Sequence, residues 1–455
     1  MGCAALLRSC WKHAALACVV CGSVCGLASA GEPFAYSTEQ ILAPGGQAGD
    51  WFGYSIALGD GYLAVGATKD NTAGEEAGAV YVYNASSGAF VYKLVPPDLT
   101  AGDRFGYDVA IKGNILIASA PNDDAGGVAF SGSVYMFALQ SGGQVTKFVA
   151  NNGTAVEQMG WSVAITGGAT VAGAIGGRNS NGVRTGAVYA FSTQSLSQLA
   201  RFSPVDGTTD AFFGDSLALS QSYLAVGAPR MDNGIGESGA VYLYSYFNGN
   251  LIHKFIPNDA RVDQSFGSDV AISGDRIFIG SGLDDEYGTN SGSVYVFDAI
   301  SGNQIIKIPP YEPGVIGWFG LSIAVDGDTL LIGAPFDDEH AQSSGAVFVY
   351  DANTYQYISK IKLPDAMFED AFGFEVAAAD AKMAAGTWRR DDQGDESGAA
   401  YLISYTCFPD LNNDSLVDFF DVSTLINVRV DYNGDGVFNF FDVSEFLSDY
   451  QAGCP

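Results

Sequence analysis

Most of the chain consists of short apolar runs separated by glycine-rich text. In the first complete unit they cover residues 53–58, 62–67, 79–83 and 90–95. Val80-Tyr81-Val82-Tyr83 and its copies have the two-residue alternation of a strand with one face turned to each neighbour. An aromatic-glycine pair opens each unit, at Phe52-Gly53, Phe105-Gly106, Phe213-Gly214, Phe266-Gly267, Phe319-Gly320 and Phe372-Gly373, with Met159-Gly160-Trp161 as a degenerate copy. The glycines step by 53 or 54 residues. A second marker follows at Gly66-Ala67, Ser119-Ala120-Pro121, Gly173-Ala174, Gly227-Ala228-Pro229, Gly280-Ser281, Gly333-Ala334-Pro335 and Gly386-Thr387. A third falls at Gly78, Gly132, Gly186, Gly239, Gly292, Gly345 and Gly398. Four strands per period and seven periods in phase predict an all-β, seven-bladed β-propeller.

The seventh unit ends after its third strand, residues 399–405, so one outer strand is missing there. Shifted by one period, residues 36–44 fall on the fourth strand of the later units (89–97), so the N-terminal strand is expected to complete blade seven and close the ring. The fourth strands carry Lys93, Lys147, Arg201, Lys254, Lys307 and Lys360 at one register, which reads as the charged guard of an outer edge.

The ends of the chain add two further segments. Arg8 and Lys12, the apolar run 14–27 and Ala28-Ser29-Ala30 predict a signal peptide over residues 1–30, with the mature chain starting at Gly31 and secreted or held at the cell surface. Loss of those two cations takes the formal charge from −30 to −32. Such an acidic surface excludes nucleic acid as a partner, and no later apolar run is long enough for a transmembrane segment in the mature chain. Five of the seven cysteines lie in the leader, leaving Cys407 and Cys454 to flank the last fifty residues. In an exported chain that pair reads as a disulfide, worth about 4 kcal/mol for a loop of this length. The propeller domain is therefore expected over residues 31–406 and a separate module over 407–455.

Candidate chemistry on the propeller is diffuse. The loops joining strands two to three and four to one share a face and are long; together they hold 29 of the 51 acids. This face is where an unknown protein or glycan ligand is expected, and its acids either attract cations and basic partners or form a solvated rim. Blade three departs, with Arg178, Asn179 and Arg184 where other blades have acids. Only His253 and His340 remain in the mature chain; His340 follows Asp337-Asp338-Glu339 and is either a metal ligand or an exposed loop residue. No serine or cysteine nucleophile stands beside a base, so no catalytic residue is assigned and a non-enzymatic role is favoured. Carboxylates converging in one pocket on the long-loop face would instead favour a secreted glycan-active enzyme.

After Cys407 the text changes. Asp410, Asn412, Asp414, the Leu416 carbonyl, Asp418 and Asp421 occupy positions 1, 3, 5, 7, 9 and 12 of a loop, and Asp431, Asn433, Asp435, the Val437 carbonyl, Asn439 and Asp442 repeat the pattern. Oxygen ligands at that spacing suit two calcium ions. In the helix expected after each loop, Val422, Leu425 and Ile426, and likewise Val443, Phe446 and Leu447, share an apolar face. Phe420 and Phe441 fall on the opposite, polar face and are candidate partner-binding anchors.

The three phased markers resemble the FG-GAP repeat family, the propeller of integrin α-subunits and many bacterial surface proteins, over roughly residues 35–405. That resemblance implies an extracellular binding or adhesion role. It departs where integrin-type repeats often carry an aspartate-rich calcium cage, since the turn here is only Gly59-Asp60-Gly61 or Gly274-Asp275. The tandem loops resemble a type I dockerin, and the ending Ala452-Gly453-Cys454-Pro455 is similar to the dockerin-like modules that close secreted planctomycete proteins. The dockerin resemblance implies a small α-helical domain and a cohesin-like or cell-surface partner that tethers the propeller. The spacing between the loops is shorter than in cellulosomal dockerins.

Overall fold

The computed structural model describes residues 23–25, 34–311 and 317–407. Blade one shows the plan, with antiparallel strands Phe52–Gly59, Tyr62–Ala67, Ala79–Asn84 and Phe90–Leu94 hydrogen-bonded in that order from the channel outward. Six of the seven sheets repeat it. The seventh is assembled from both ends of the described chain: Glu375–Ala379, Lys382–Thr387 and Ala399–Cys407, then Phe34–Ile41 as the fourth strand. The closing pairing is antiparallel and runs from Phe34 opposite Cys407 to Ile41 opposite Ala400. The short strand Ser23–Cys25, inside the expected leader, pairs outside it as a fifth. No helix among the described residues is long and apolar enough to cross a membrane.

The core lies between blades. Seven hydrophobic clusters each draw on two adjacent sheets, as where Phe52, Leu63 and Tyr81 of blade one pack with Ala384, Ala400 and Leu402 of blade seven. Each FG phenylalanine is fully buried and meets the third-strand ring of its own blade edge-on, Phe105 to Tyr135 and Phe213 to Tyr242 at 5.3 Å. Burial of such a ring is worth on the order of 2–3 kcal/mol.

The phase of the sequence markers is explained at the seams. The third-marker glycine of each blade forms a parallel bridge to the FG residue of the next, Gly78 with Phe105 and so on to Gly398 with Phe52, which closes the circle. Gly78 has φ +88°, and a Cβ there would lie 2.1 Å from the Phe105 carbonyl oxygen. A Cβ on Gly66 of the second marker would lie equally close, 2.1 Å, to the Gly106 carbonyl oxygen. All three markers therefore mark places where one blade's backbone touches the next.

The turns joining strands one and two are two-residue hairpins on the opposite face. In the first, Asp60 (φ 52°) and Gly61 (φ 81°) stand between paired Gly59 and Tyr62. A turn of this length has too few oxygens to cage calcium.

Candidate functional site: the mouth of the central channel

The acids of the long loops divide into those engaged by the fold and those, such as Glu75, Asp124, Asp285, Asp338 and Asp391, that stay exposed on the face. Asp50, Asp70, Asp103, Asp123, Glu157, Asp284, Asp337 and Asp370 are buried. The fourth-strand cations also have a different role from edge guards, because each lies opposite an aromatic residue of strand three and over its ring, and the five lysines reach past it to a loop acid. In blade one, Lys93 pairs with Tyr81 across the strands, lies 4.8 Å above its ring and contacts Asp70 at 2.7 Å; Tyr81 donates to the same carboxylate at 2.8 Å. Burial opposes the charge on Asp70, but hydrogen bonds from Lys93, Thr72 and Tyr81 outweigh it and hold this carboxyl below its usual range.

Variants of this device occupy the other blades. In blade three Tyr189 donates to Glu157 and accepts from Arg201, which also donates to the Arg178 carbonyl; Lys254 and Tyr242 use Asp206, and Lys360 lies over Phe348 while contacting Asp337. In blade five, Asp259, Asp284 and Glu286 form a carboxylate group of metal-binding dimensions, but Lys307 sits among them, 2.6 Å from Asp259 and from Asp284 and in contact with Glu286. Blade seven reverses the polarity. Arg390 stands at the position of Asp70 and contacts Asp365, Asp370 and Asp392, while Gln40 replaces the lysine and donates to Asp392 and to the Tyr401 hydroxyl.

Two further candidates from the sequence have structural explanations. His340 is exposed, and two of the three acids before it are already engaged, Asp337 by Lys360 and Glu339 by Lys360 and Lys362. In blade three, Asn179 is buried and organises its turn through Asn181, Val183 and Pro204, and Arg184 pairs with Asp210. Asp410, Asn412, Asp414, Leu416, Asp418, Asp421, Asp431, Asn433, Asp435, Val437, Asn439, Asp442, Phe420, Phe441 and Cys454 lie outside the described residues, so neither the calcium loops nor the Cys407–Cys454 pairing is described.

The feature missed by sequence reading is the central channel. A cavity of about 500 Å³ draws on all seven blades, chiefly through the two residues after each FG glycine. The first of these two positions holds Tyr54, Tyr107, Trp161, Asp215, Ser268, Leu321 and Phe374. Four of them make a continuous aromatic arc, Phe374 to Tyr54 at 5.3 Å, Tyr54 to Tyr107 at 5.1 Å and Tyr107 to Trp161 at 4.9 Å. Trp388 and Trp51 extend it outward. The Trp161 indole N–H donates to Asp215 at 3.0 Å, so the arc ends on a carboxyl.

The second position staples blades together. Ser55, Ser162, Ser216 and Ser322 donate to glycine carbonyls of the next blade, and Asp108 and Asp269 accept from the Val163 and Ile323 N–H groups of the next blade, both at 2.6 Å. Glu375, at the blade seven to blade one junction, is the exception and has no hydrogen-bond or ion-pair partner among the described residues. It lies deep in the ring and lines the channel.

Burial pushes Asp108 up to about 7 against the pull of two backbone N–H groups, and Asp215 up to about 7 against Trp161 and Arg230. Asp269 is also raised to about 7 by burial, with Asp108 and Asp215 adding to the effect. Glu375 is pushed well above its usual value by burial, then by Asp269 and Asp108. A folded-state value above the unfolded one stabilises fully below pH 4 and loses that contribution as pH rises through about 7. The outer acids such as Asp70 behave oppositely, stabilising above their unfolded value and failing as pH falls. Calorimetric melting temperature should therefore peak in mildly acidic buffer and decline towards pH 8. Glu375→Gln should make the alkaline decline shallower; an unchanged slope would exclude Glu375 from this titration.

The fold and site define the class: a closed seven-bladed propeller with an aromatic and carboxylate-lined channel mouth on its long-loop face. The FG-GAP repeat model matches seven times, at residues 37–83, 89–137, 143–191, 196–244, 250–297, 307–350 and 356–403, and the chain belongs to that family. Each matched segment begins on the outer strand of one blade and continues through the three inner strands of the next. No curated protein matches the chain closely enough to add a relative.

Proposed function

We propose that this chain is an extracellular binding or adhesion propeller that takes its ligand at the long-loop mouth of the central channel. The observation that carries the reading is the aromatic arc, which runs from Phe374, next to unpartnered Glu375, to Trp161 and its bonded Asp215 within one cavity. Concave sites with aromatic walls and a few convergent polar groups are the usual form of a ligand pocket. The test is a glycan and secretome binding screen of the full exported chain against Trp161→Ala and Phe374→Ala. At least a tenfold loss in both variants, with unchanged melting, supports the mouth as the site; equal binding by all three chains removes it.

The tether belongs to the same proposal. Residues 407–455 bind two calcium ions, and Phe420 and Phe441 meet a cohesin-like or cell-surface partner. Calcium titration of the full chain should give two ions, lost when Asp421 and Asp442 are both replaced by alanine, while chelation leaves the propeller's melting unchanged. Phe420→Ser with Phe441→Ser should abolish retention on the surface fraction and preserve calcium binding. Unchanged retention would exclude these rings from the interface.

One observation favours a second reading, a glycan-active enzyme: carboxyls of raised proton affinity converge in an aromatic-lined cavity. Against it, Asp108 and Asp269 are already held by two backbone N–H groups each, which leaves Glu375 and one oxygen of Asp215 for chemistry. Release of reducing ends from a polysaccharide panel, abolished by Glu375→Gln, would establish catalysis.

A further inference from the structure

The charge arrangement of the whole ring bears on what the channel mouth accepts. On the outer side, loop acids are matched by cations from the chain itself: buried Asp70 by Lys93, Asp123 by Lys147, Asp284 by Lys307, Asp337 by Lys360 and Asp370 by Arg390, and exposed Asp206 by Lys254. In the channel that matching stops. Asp108, Asp215, Asp269 and Glu375 share one cavity with no ion pair among the described residues, and Arg230 acts only on Asp215 and from a distance. Glu375 departs from the six residues at its own repeat position, all of which bond to the neighbouring blade.

The wall opposite Asp215 and Ser268 is the aromatic arc, whose ring faces attract cations. The protein already uses this interaction just outside the channel. Lys69 lies 3.5 Å above the Trp51 ring, Arg230 4.5 Å from that of Phe212 and Arg389 4.7 Å from that of Trp388. Inside the cavity the rings of Tyr54, Tyr107, Trp161 and Phe374 have no such partner among the described residues, although the carboxyls that would reinforce one are beside them.

We infer that the channel mouth is a site for an organic cation, a primary ammonium or guanidinium group on a slender chain, held between the aromatic arc and the carboxyls of Asp215 and Glu375. This rests on the reading of the mouth as the ligand site. The cation supplies here what Lys307 and its counterparts supply in the outer clusters, and the acid-rich long-loop face draws it in. Two sources carry this chemistry, a free polyamine or a basic side chain of a partner protein.

The test titrates the full exported chain at physiological salt with spermidine, with a short lysine- and arginine-containing peptide, with a neutral oligosaccharide and with calcium, following heat and the fluorescence of Trp161 and Trp318. Saturable binding of spermidine or the peptide, weakened at least tenfold in Glu375→Gln and in Phe374→Ala, is the expected result, and the tighter of the two names the source. Glu375→Gln removes an unpartnered acid, so its folding is not at risk. Binding of the oligosaccharide with neither amine bound would overturn the cation and leave the mouth as a site. Amine binding unchanged in both variants, or no binding of any probe, would overturn the inference, and the second outcome would count against the mouth itself.

Discussion

A chain without residues 34–41 should fail to accumulate as a soluble monomer. The deleted strand forms the full antiparallel ladder from Phe34–Cys407 to Ile41–Ala400, and the Tyr36 hydroxyl meets the Lys362 backbone of blade six. Ile41 is buried in the seam between blades seven and one, and Tyr83 of blade one donates to the Leu42 carbonyl at 2.9 Å just beyond. Deletion uncovers the edge of Ala399–Cys407 together with Tyr401 and Ile403, both buried in the intact ring. Eight strand positions at about 1 kcal/mol for each net hydrogen bond already approach the whole stability of an ordinary domain. The bare edge is also a template for pairing with another molecule. Size-exclusion chromatography should show aggregates, reduced by adding a synthetic peptide of residues 34–44. A monomeric deletion variant with the parent melting temperature would show that closure contributes little.

Lys307→Met is expected to destabilise the ring by about 3–5 kcal/mol, the usual loss when one partner of a buried ionic group is removed. The lysine side chain is only 11% exposed and Asp284 only 1%, so water cannot replace the ammonium. In the intact protein, Asp259 is held below its usual range because the contacts from Lys307, Glu286 and Tyr295 outweigh its burial. Without Lys307 that support is gone and the three acids repel one another, so the deficit should shrink as the solution is acidified and they take up protons. Millimolar calcium should restore part of the lost melting temperature, because Asp259, Asp284 and Glu286 already have the spacing of a cation site. A variant as stable as its parent at pH 7 would show that the cluster is strain-free without its lysine.

The ring was legible because its seams demand particular residues. Gly78 and Gly66 cannot carry a side chain where the next blade's backbone arrives, and that need recurs once per period. The closing strand was legible for a related reason, since residues 36–44 have the register of every other fourth strand. The channel was harder to see. Its residues directly follow the FG pair, yet Tyr54, Asp215 and Leu321 share no residue type, so a search for repetition passes over them. The one available signal was a column that varies beside columns that do not. The fourth-strand lysines were misread because sequence shows that Lys93 and Asp70 recur in phase, while only the fold brings them together across Tyr81.

The reversed polarity of blade seven also sets its closing strand apart from the other six by charge. Six of the seven outer slots present an aromatic and acidic lining that calls for a basic residue, and a chain of near-identical repeats could in principle seal itself early or swap a strand with a neighbouring molecule. The last slot presents Arg390, and the strand that fills it brings Gln40. A lysine-bearing fourth strand placed there would set ammonium against guanidinium, and the N-terminal strand placed in an earlier blade would leave that blade's acid without its cation. The closing strand therefore matches its own blade in charge better than any other around the circle.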